Sequence, residues 1–98
     1  MEIKFIHGEE MVVALVGRLD TITSVELDNA LSKEEIKENL VVLDFKDLEY
    51  ISSAGLRLVI KLKKELEAKG KGLVLENLNE VVKEVFKVTG FINVVKVR

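Results

Sequence analysis

Two adjacent serines, Ser52 and Ser53, are the residues of this 98-residue chain best placed to do chemistry. They follow an apolar stretch at residues 40–45 and precede a run whose apolar residues have helical spacing, which indicates a strand-to-helix junction. A helix N-terminus carries partial positive charge and free backbone N–H groups, and both stabilise a nearby phosphate. A phosphate attached to a serine at this position would therefore be stabilised locally, although the residues alone favour a capping role. Serine is also a favoured N-cap residue, and one serine can serve both purposes.

Other chemistry finds little support in the sequence. Histidine occurs once, at His7 in a predicted hairpin turn, and cysteine is absent, so neither a histidine-pair metal site nor a cysteine nucleophile can form. The glycines of residues 70–72 precede a predicted strand, whereas a phosphate-binding glycine loop opens a helix. We therefore expect no catalytic residues, no metal and no cofactor.

The distribution of charge and hydropathy argues against nucleic-acid and membrane partners. The net charge is −2, and no basic stripe is present. The densest basic stretch, residues 61–64, runs directly into acidic residues, as on a solvated helix face. The first residues lack the pattern of a signal peptide, and the apolar run at residues 11–16 is too short to span a bilayer. We expect a cytoplasmic protein.

The periodicity predicts an α/β fold with the element order ββαβαβα. Alternating residues near the N-terminus and the apolar run at 11–16 form a hairpin around Gly8, and a short strand at 94–97 closes the chain. We predict a mixed β-sheet opened by this hairpin, with the later strands parallel and joined by crossovers, and with helices covering at least one face.

The first predicted helix begins with a capping box. Thr23 is the expected N-cap and Glu26 the residue that reaches back to it, while Ile22 and Leu27 have the spacing of a hydrophobic staple.

The second half of the chain is divided by similar signals. After the strand at 40–45, we expect an exit turn at 46–47, a loop at 48–53 and a helix at 53–69 that ends before Gly70. Asn77 is the predicted cap of the last helix.

Residues 47–56 resemble the signature of the STAS domain, which sulfate transporters and anti-sigma factor antagonists share. In the bacterial antagonists an Asp–apolar pair and a short loop precede Asp or Ser, the phosphoacceptor, a small residue, Gly and Leu or Ile. The match implies that Ser53 is the phosphoacceptor. Ser52 holds a place often taken by aspartate, and a serine there leaves two neighbouring hydroxyls, so Ser52 is the second choice. Residues 17–20 resemble a second family motif, Gly-x-Leu/Ile-Asp. The resemblance covers residues 1–98 as a single STAS domain.

The resemblance implies a partner switch in which the protein is a substrate and not an enzyme. The unphosphorylated antagonist binds an anti-sigma factor that is a serine kinase and thereby frees the sigma factor for transcription. Phosphorylation of Ser53 releases the antagonist, and a PP2C-type phosphatase resets it. Asp20 is expected to border the phosphoacceptor or to act as a cap, and Asp47 to form a turn. The expected partner-binding residues are Asp20, Asp47, Ser52, Ser53, Gly55 and Leu56.

Two other functions remain open from the sequence. A STAS domain can serve another signalling or transporter-regulating assembly, and a fold of this kind can also sense a small ligand or a nucleotide.

Overall fold

The structure, a computed structural model, describes residues 1–98 as strands and helices that alternate after an N-terminal hairpin. The order ββαβαβα is therefore confirmed. No helix combines the length and the apolar character needed to cross a lipid bilayer. The elements are β1 (Glu2–Ile6), β2 (Met11–Leu19), α1 (Thr21–Lys33), β3 (Leu40–Ile51), α2 (Ser53–Ala68), β4 (Gly72–Glu76), α3 (Glu80–Val88) and a 3₁₀ turn (Phe91–Asn93).

The four strands form one mixed sheet in the order β1-β2-β3-β4. β1 pairs antiparallel with β2, and β3 pairs parallel with both β2 and β4, as the sequence predicted. Because β2 and β3 are parallel neighbours, their carboxyl ends meet at the same edge of the sheet. That edge carries both sequence motifs.

Strand β3 is twice as long as predicted, because the expected exit turn is a β-bulge. The β2–β3 register shifts between Ala14 and Val16 and again between Gly17 and Arg18, and β3 carries the extra residue each time. At the first shift Lys46 and Asp47 are both exposed, which breaks the period-two alternation of an ordinary strand. The predicted turn at 46–47 and loop at 48–53 are therefore wrong, since β3 continues to Ile51.

A single apolar core joins one face of the sheet to all three helices. Strand residues such as Met11, Val41 and Leu75 share this cluster with Leu27 of α1 and Leu62 of α2. Helix α3 is held by an aromatic pair, in which the rings of Phe86 and Phe45 lie 6.5 Å apart. This packing fixes the helices on the sheet and with them the point where each helix begins.

The N-cap of α1 lies three residues before the predicted one. Asp20 is the N-cap: its carboxylate accepts hydrogen bonds from the backbone N–H groups of Ile22 (3.0 Å) and Thr23 (2.9 Å). A reciprocal hydrogen bond runs between the same two residues, because the Thr23 hydroxyl accepts from the Asp20 N–H at 2.8 Å. Thr23 is thus the third helical residue of a capping box and not its cap. The predicted staple is also wrong, because the side chain of Ile22 is 74% exposed.

The last helix and the C-terminal segment also differ from the prediction. Asn79 caps α3, accepting from the N–H of Val82 and donating to the carbonyl of Leu48, both at 2.8 Å. Asn77 instead adopts a positive φ of 60° and donates to Asp44. Residues 94–97 form only one isolated bridge, between Val97 and Leu75, so the predicted final strand is not present as a strand.

At the opposite end of the sheet, His7 ties the hairpin turn to the connection between α1 and β3. Its Nε2 lies 2.6 Å from a Glu34 oxygen and its Nδ1 lies 2.8 Å from a Glu38 oxygen. Only the imidazolium can donate from both nitrogens. Both hydrogen bonds accordingly raise the pKa of His7 above its ordinary value, and the bond to Glu34 has the larger effect.

This tie predicts a pH-dependent stability. Because the folded-state pKa is raised, the contribution of His7 is complete below its unfolded pKa and is lost as the pH rises through the folded pKa. The free energy of urea unfolding, measured between about pH 6 and pH 9, should therefore fall more steeply for the wild type than for His7→Gln. Parallel curves for the two proteins would contradict the double hydrogen bond.

Candidate functional site

Two helices begin side by side where β2 and β3 end. Leu19 and Ile51 are paired as the last residues of their strands, and the next residue in each chain segment caps a helix. The two segments are joined at this point, because the N–H of Ser52 donates to the carbonyl of Leu19 at 2.8 Å. The sheet thus places Asp20 and the two serines at one edge, with two helix N-termini.

The two serines have different structural roles. Ser52 is the N-cap of α2: its hydroxyl accepts from the N–H of Gly55 at 3.3 Å, and the residue is half-buried. Ser53 is the first helical residue and is exposed, and the cap leaves its hydroxyl free. The two functions that one serine could combine, capping and presenting a hydroxyl, are therefore divided between neighbours.

Asp20 brings a fixed negative charge to this edge. The hydrogen bond from the Thr23 N–H is the main cause that lowers the pKa of the Asp20 carboxyl, and bonds from the Thr23 hydroxyl and the Ile22 N–H lower it further. The carboxylate is consequently ionised at neutral pH. The sequence left two roles open for Asp20. The role of helix cap is confirmed, and the position of Asp20 next to the start of α2 is compatible with the second role, in which it borders the phosphoacceptor.

Gly55 and Leu56 lie inside the domain and not on its surface. Leu56 is 1% exposed and belongs to the core. A Cβ added at Gly55 would lie 2.7 Å from Cγ1 of Ile51 and 2.9 Å from the carbonyl oxygen of Leu19. Gly55 thus allows the helix to approach the sheet, and neither residue presents a side chain to a partner.

Asp47 is separate from the serines. It is exposed in the bulged part of β3, opposite Val16 of β2. Ser52 is five positions further along the chain, with four strand residues between the two, which corresponds to roughly 15 Å. The structure therefore brings Asp20, Ser52 and Ser53 together and leaves Asp47 on a different part of the surface.

One feature of this edge was not predicted. The guanidinium of Arg18 lies over the ring of Tyr50, 4.6 Å from the ring centroid, in a cation–π contact. The two residues are cross-strand partners directly before the strand ends. The sequence could not indicate this pair, because the two bulges decide which residues of β2 and β3 face each other.

The divided roles of the serines predict that alanine will have different effects at the two positions. Ser52→Ala removes the cap bond and should lower the free energy of unfolding by about 1 kcal/mol. Ser53→Ala removes an exposed hydroxyl and should change stability by less than about 0.5 kcal/mol. Urea unfolding of both variants measures the difference. Equal stabilities would mean that Ser52 is not the effective cap.

Comparison with known proteins identifies the family. The model of the STAS domain matches residues 1–98. BtrV of Bordetella bronchiseptica, a candidate anti-sigma factor antagonist, is 38% identical over 85 residues, which cover 86% of this chain and 73% of BtrV. The anti-sigma-B factor antagonist of Listeria monocytogenes is 25% identical over 100% of this chain and 87% of its own length.

The solved structures of SpoIIAA, an anti-sigma factor antagonist from Bacillus, share the fold. The unphosphorylated form matches with a TM-score of 0.80 and 23% identity, over 99% of this chain and 86% of that one. The phosphorylated form matches with a TM-score of 0.71 and 22% identity, over 99% of this chain and 89% of that one. With the family model matching from the first residue to the last, the chain belongs to the STAS domain family.

Proposed function

We propose that this protein is an anti-sigma factor antagonist controlled by phosphorylation of Ser53. In its unphosphorylated form it binds an anti-sigma factor that is a serine kinase, and this binding frees the sigma factor. The kinase transfers phosphate from ATP to Ser53, the phosphorylated protein dissociates, and a PP2C-type phosphatase regenerates it. The protein acts in the cytoplasm as a substrate and a binding module, and it catalyses no step itself.

The exposed hydroxyl of Ser53 is the observation that carries the proposal. A kinase must reach the hydroxyl that it phosphorylates, and Ser53 is exposed whereas Ser52 is half-buried and bonded to Gly55. Phosphate on Ser53 would leave the cap hydroxyl of Ser52 unmodified, while phosphate on Ser52 would be attached to the oxygen that caps α2.

The first turns of α1, a helix that starts next to the start of α2, are suited to binding a protein. Ile22 and Val25, on the first turns of α1, are 74% and 60% exposed. Exposed apolar side chains next to a polar centre are a common arrangement in protein interfaces, since their burial supplies affinity. A phosphoserine at the same place adds about 1.5 to 2 negative charges, which an interface must pair or desolvate. Phosphorylation can therefore oppose binding without any refolding.

The decisive experiment is phosphotransfer followed by site mapping. The protein is mixed with the candidate anti-sigma kinases of its own genome and MgATP, and mass spectrometry locates the phosphate. Phosphate on Ser53 in the wild type, and its absence in Ser53→Ala, are the expected results. Phosphate on Ser52 would move the site by one residue, and no phosphate from any candidate would favour a STAS module of another assembly.

A ligand-sensing function has less support. The most enclosed cleft of the structure lies between α1 and α2, is lined by Leu31, Leu62 and Lys61 among others, and has a volume of about 180 Å³. Two larger depressions, of about 470 and 580 Å³, are shallower and more open to solvent. Small-molecule sites usually enclose roughly 300–1,000 Å³. A thermal shift with ATP or GTP tests the alternative, because a ligand that binds only the folded state raises the unfolding temperature.

A further inference from the structure

Arg57 is the positively charged residue that follows Ser53 on the outward face of α2. It lies four residues after Ser53, and both residues are exposed. Residues four apart in a helix have their Cβ atoms about 5–6 Å from each other on the same face. The long side chain of Arg57 can therefore reach a group attached to the Ser53 oxygen.

Arg57 has no ionic partner within the unphosphorylated protein. None of the ion pairs of the structure includes it. The next basic residue in the same i, i+4 row, Lys61, differs in this respect: it pairs with Asp28 of α1 at 2.9 Å and with Glu65 at 3.7 Å. One helical turn before Asp28, the position on α1 is occupied by Ser24, which supplies no carboxylate. Of the two basic residues in this row, Lys61 is paired and Arg57 is not. The unpaired Arg57 lies one helical turn after the proposed phosphoacceptor.

We infer that Arg57 is the intramolecular partner of the phosphate on Ser53. The inference rests on the proposed function, because it concerns the phosphorylated form. Arginine suits the role, since its planar guanidinium can bind phosphate through two hydrogen bonds and stays charged at any working pH. In the unphosphorylated form the same guanidinium is free to meet an acidic group of the partner. Phosphorylation then acts twice, because it adds negative charge and removes an available positive charge.

The test measures the phosphate itself and needs no kinase. Phosphoserine is placed at position 53 by genetic encoding, and the second pKa of the phosphate is followed by ³¹P NMR at low ionic strength. A nearby cation favours the dianion and lowers this pKa. Arg57→Gln should therefore raise it by about 0.3 unit, as expected for an exposed i, i+4 pair. Arg57→Lys keeps the charge and should restore most of the effect.

Lys64→Gln is the matched control. Lys64 is an exposed cation on the same helix, eleven residues from Ser53, and forms no ion pair. Its removal changes the net charge by the same amount but should leave the phosphate pKa within about 0.1 unit, since exposed charges beyond about 10 Å are screened. Equal shifts in Arg57→Gln and Lys64→Gln, or no shift in either, would overturn the pairing.

The outcomes separate this inference from the proposed function. If kinases place no phosphate on Ser53 while Arg57→Gln moves the phosphate pKa, the pairing stands and the proposed switch fails. If Ser53 is phosphorylated by a kinase and Arg57→Gln leaves the pKa unchanged, the switch stands and the pairing fails.

Discussion

Ser53→Asp should bind the anti-sigma kinase at least about 100-fold more weakly than the wild type. A carboxylate at this exposed position supplies part of the charge of a phosphate, and an unpaired charge in an interface costs several kcal/mol. A loss of about 2.7 kcal/mol corresponds to the 100-fold change. Ser53→Ala should bind with the affinity of the wild type but should not be released by MgATP. Titration calorimetry of the three proteins with the kinase measures both effects.

A second aspartate variant controls for the added charge. Ser32→Asp introduces the same group at another exposed serine, near the opposite end of α1. It should bind as the wild type does, because it lies outside the proposed surface. If Ser53→Asp and the wild type bound with equal affinity, the switch at Ser53 would be refuted.

Gly55→Ala should destabilise the protein by about 3 kcal/mol. Within a helix, alanine is ordinarily better than glycine by up to about 1 kcal/mol, so the expected sign is reversed here. The reversal follows from the distances of 2.7 Å and 2.9 Å that separate the new Cβ from Ile51 and Leu19. Relieving these contacts requires α2 to move away from the sheet, and overpacking of this kind costs roughly 1–3 kcal/mol or more. Urea unfolding measures the change.

The matching control for Gly55→Ala is Gly8→Ala. Its added Cβ would meet only the carbonyl oxygen of Glu10 at 3.6 Å, which is an ordinary contact. Stability close to that of the wild type is expected for this variant. Should Gly55→Ala be equally stable, the close approach of α2 to the end of β2 would be incorrect.

The element order and the strand-to-helix junction at Ser52 and Ser53 were predictable because both depend on local patterns. The spacing of Leu58, Leu62 and Leu66 marks α2, and Gly70, with its φ of 74°, ends it as predicted. The family resemblance then directed attention to Ser53.

The two errors in the helix caps share one physical cause: for each helix the sequence offered two compatible cap residues. Asp20 and Thr23 both suit the start of α1, and Asn77 and Asn79 both suit the start of α3. In the second pair, the hydrogen bond from Asn79 to Leu48 belongs to a strand 31 residues earlier, which no local pattern could indicate. The bulge in β3 was misread for a related reason, since two consecutive polar residues resemble a turn.

The separation of the cap from the proposed phosphoacceptor should be visible in living cells as two classes of allele. A loss of about 1 kcal/mol lowers the melting temperature of a domain this size by roughly 4–8 °C, so alanine at position 52 should give a temperature-sensitive phenotype that higher expression relieves. Alanine at position 53 should keep the switch in its binding state at every temperature, regardless of dosage. Substitutions at two adjacent positions would thus give different phenotypes, one caused by lost stability and the other by lost phosphorylation.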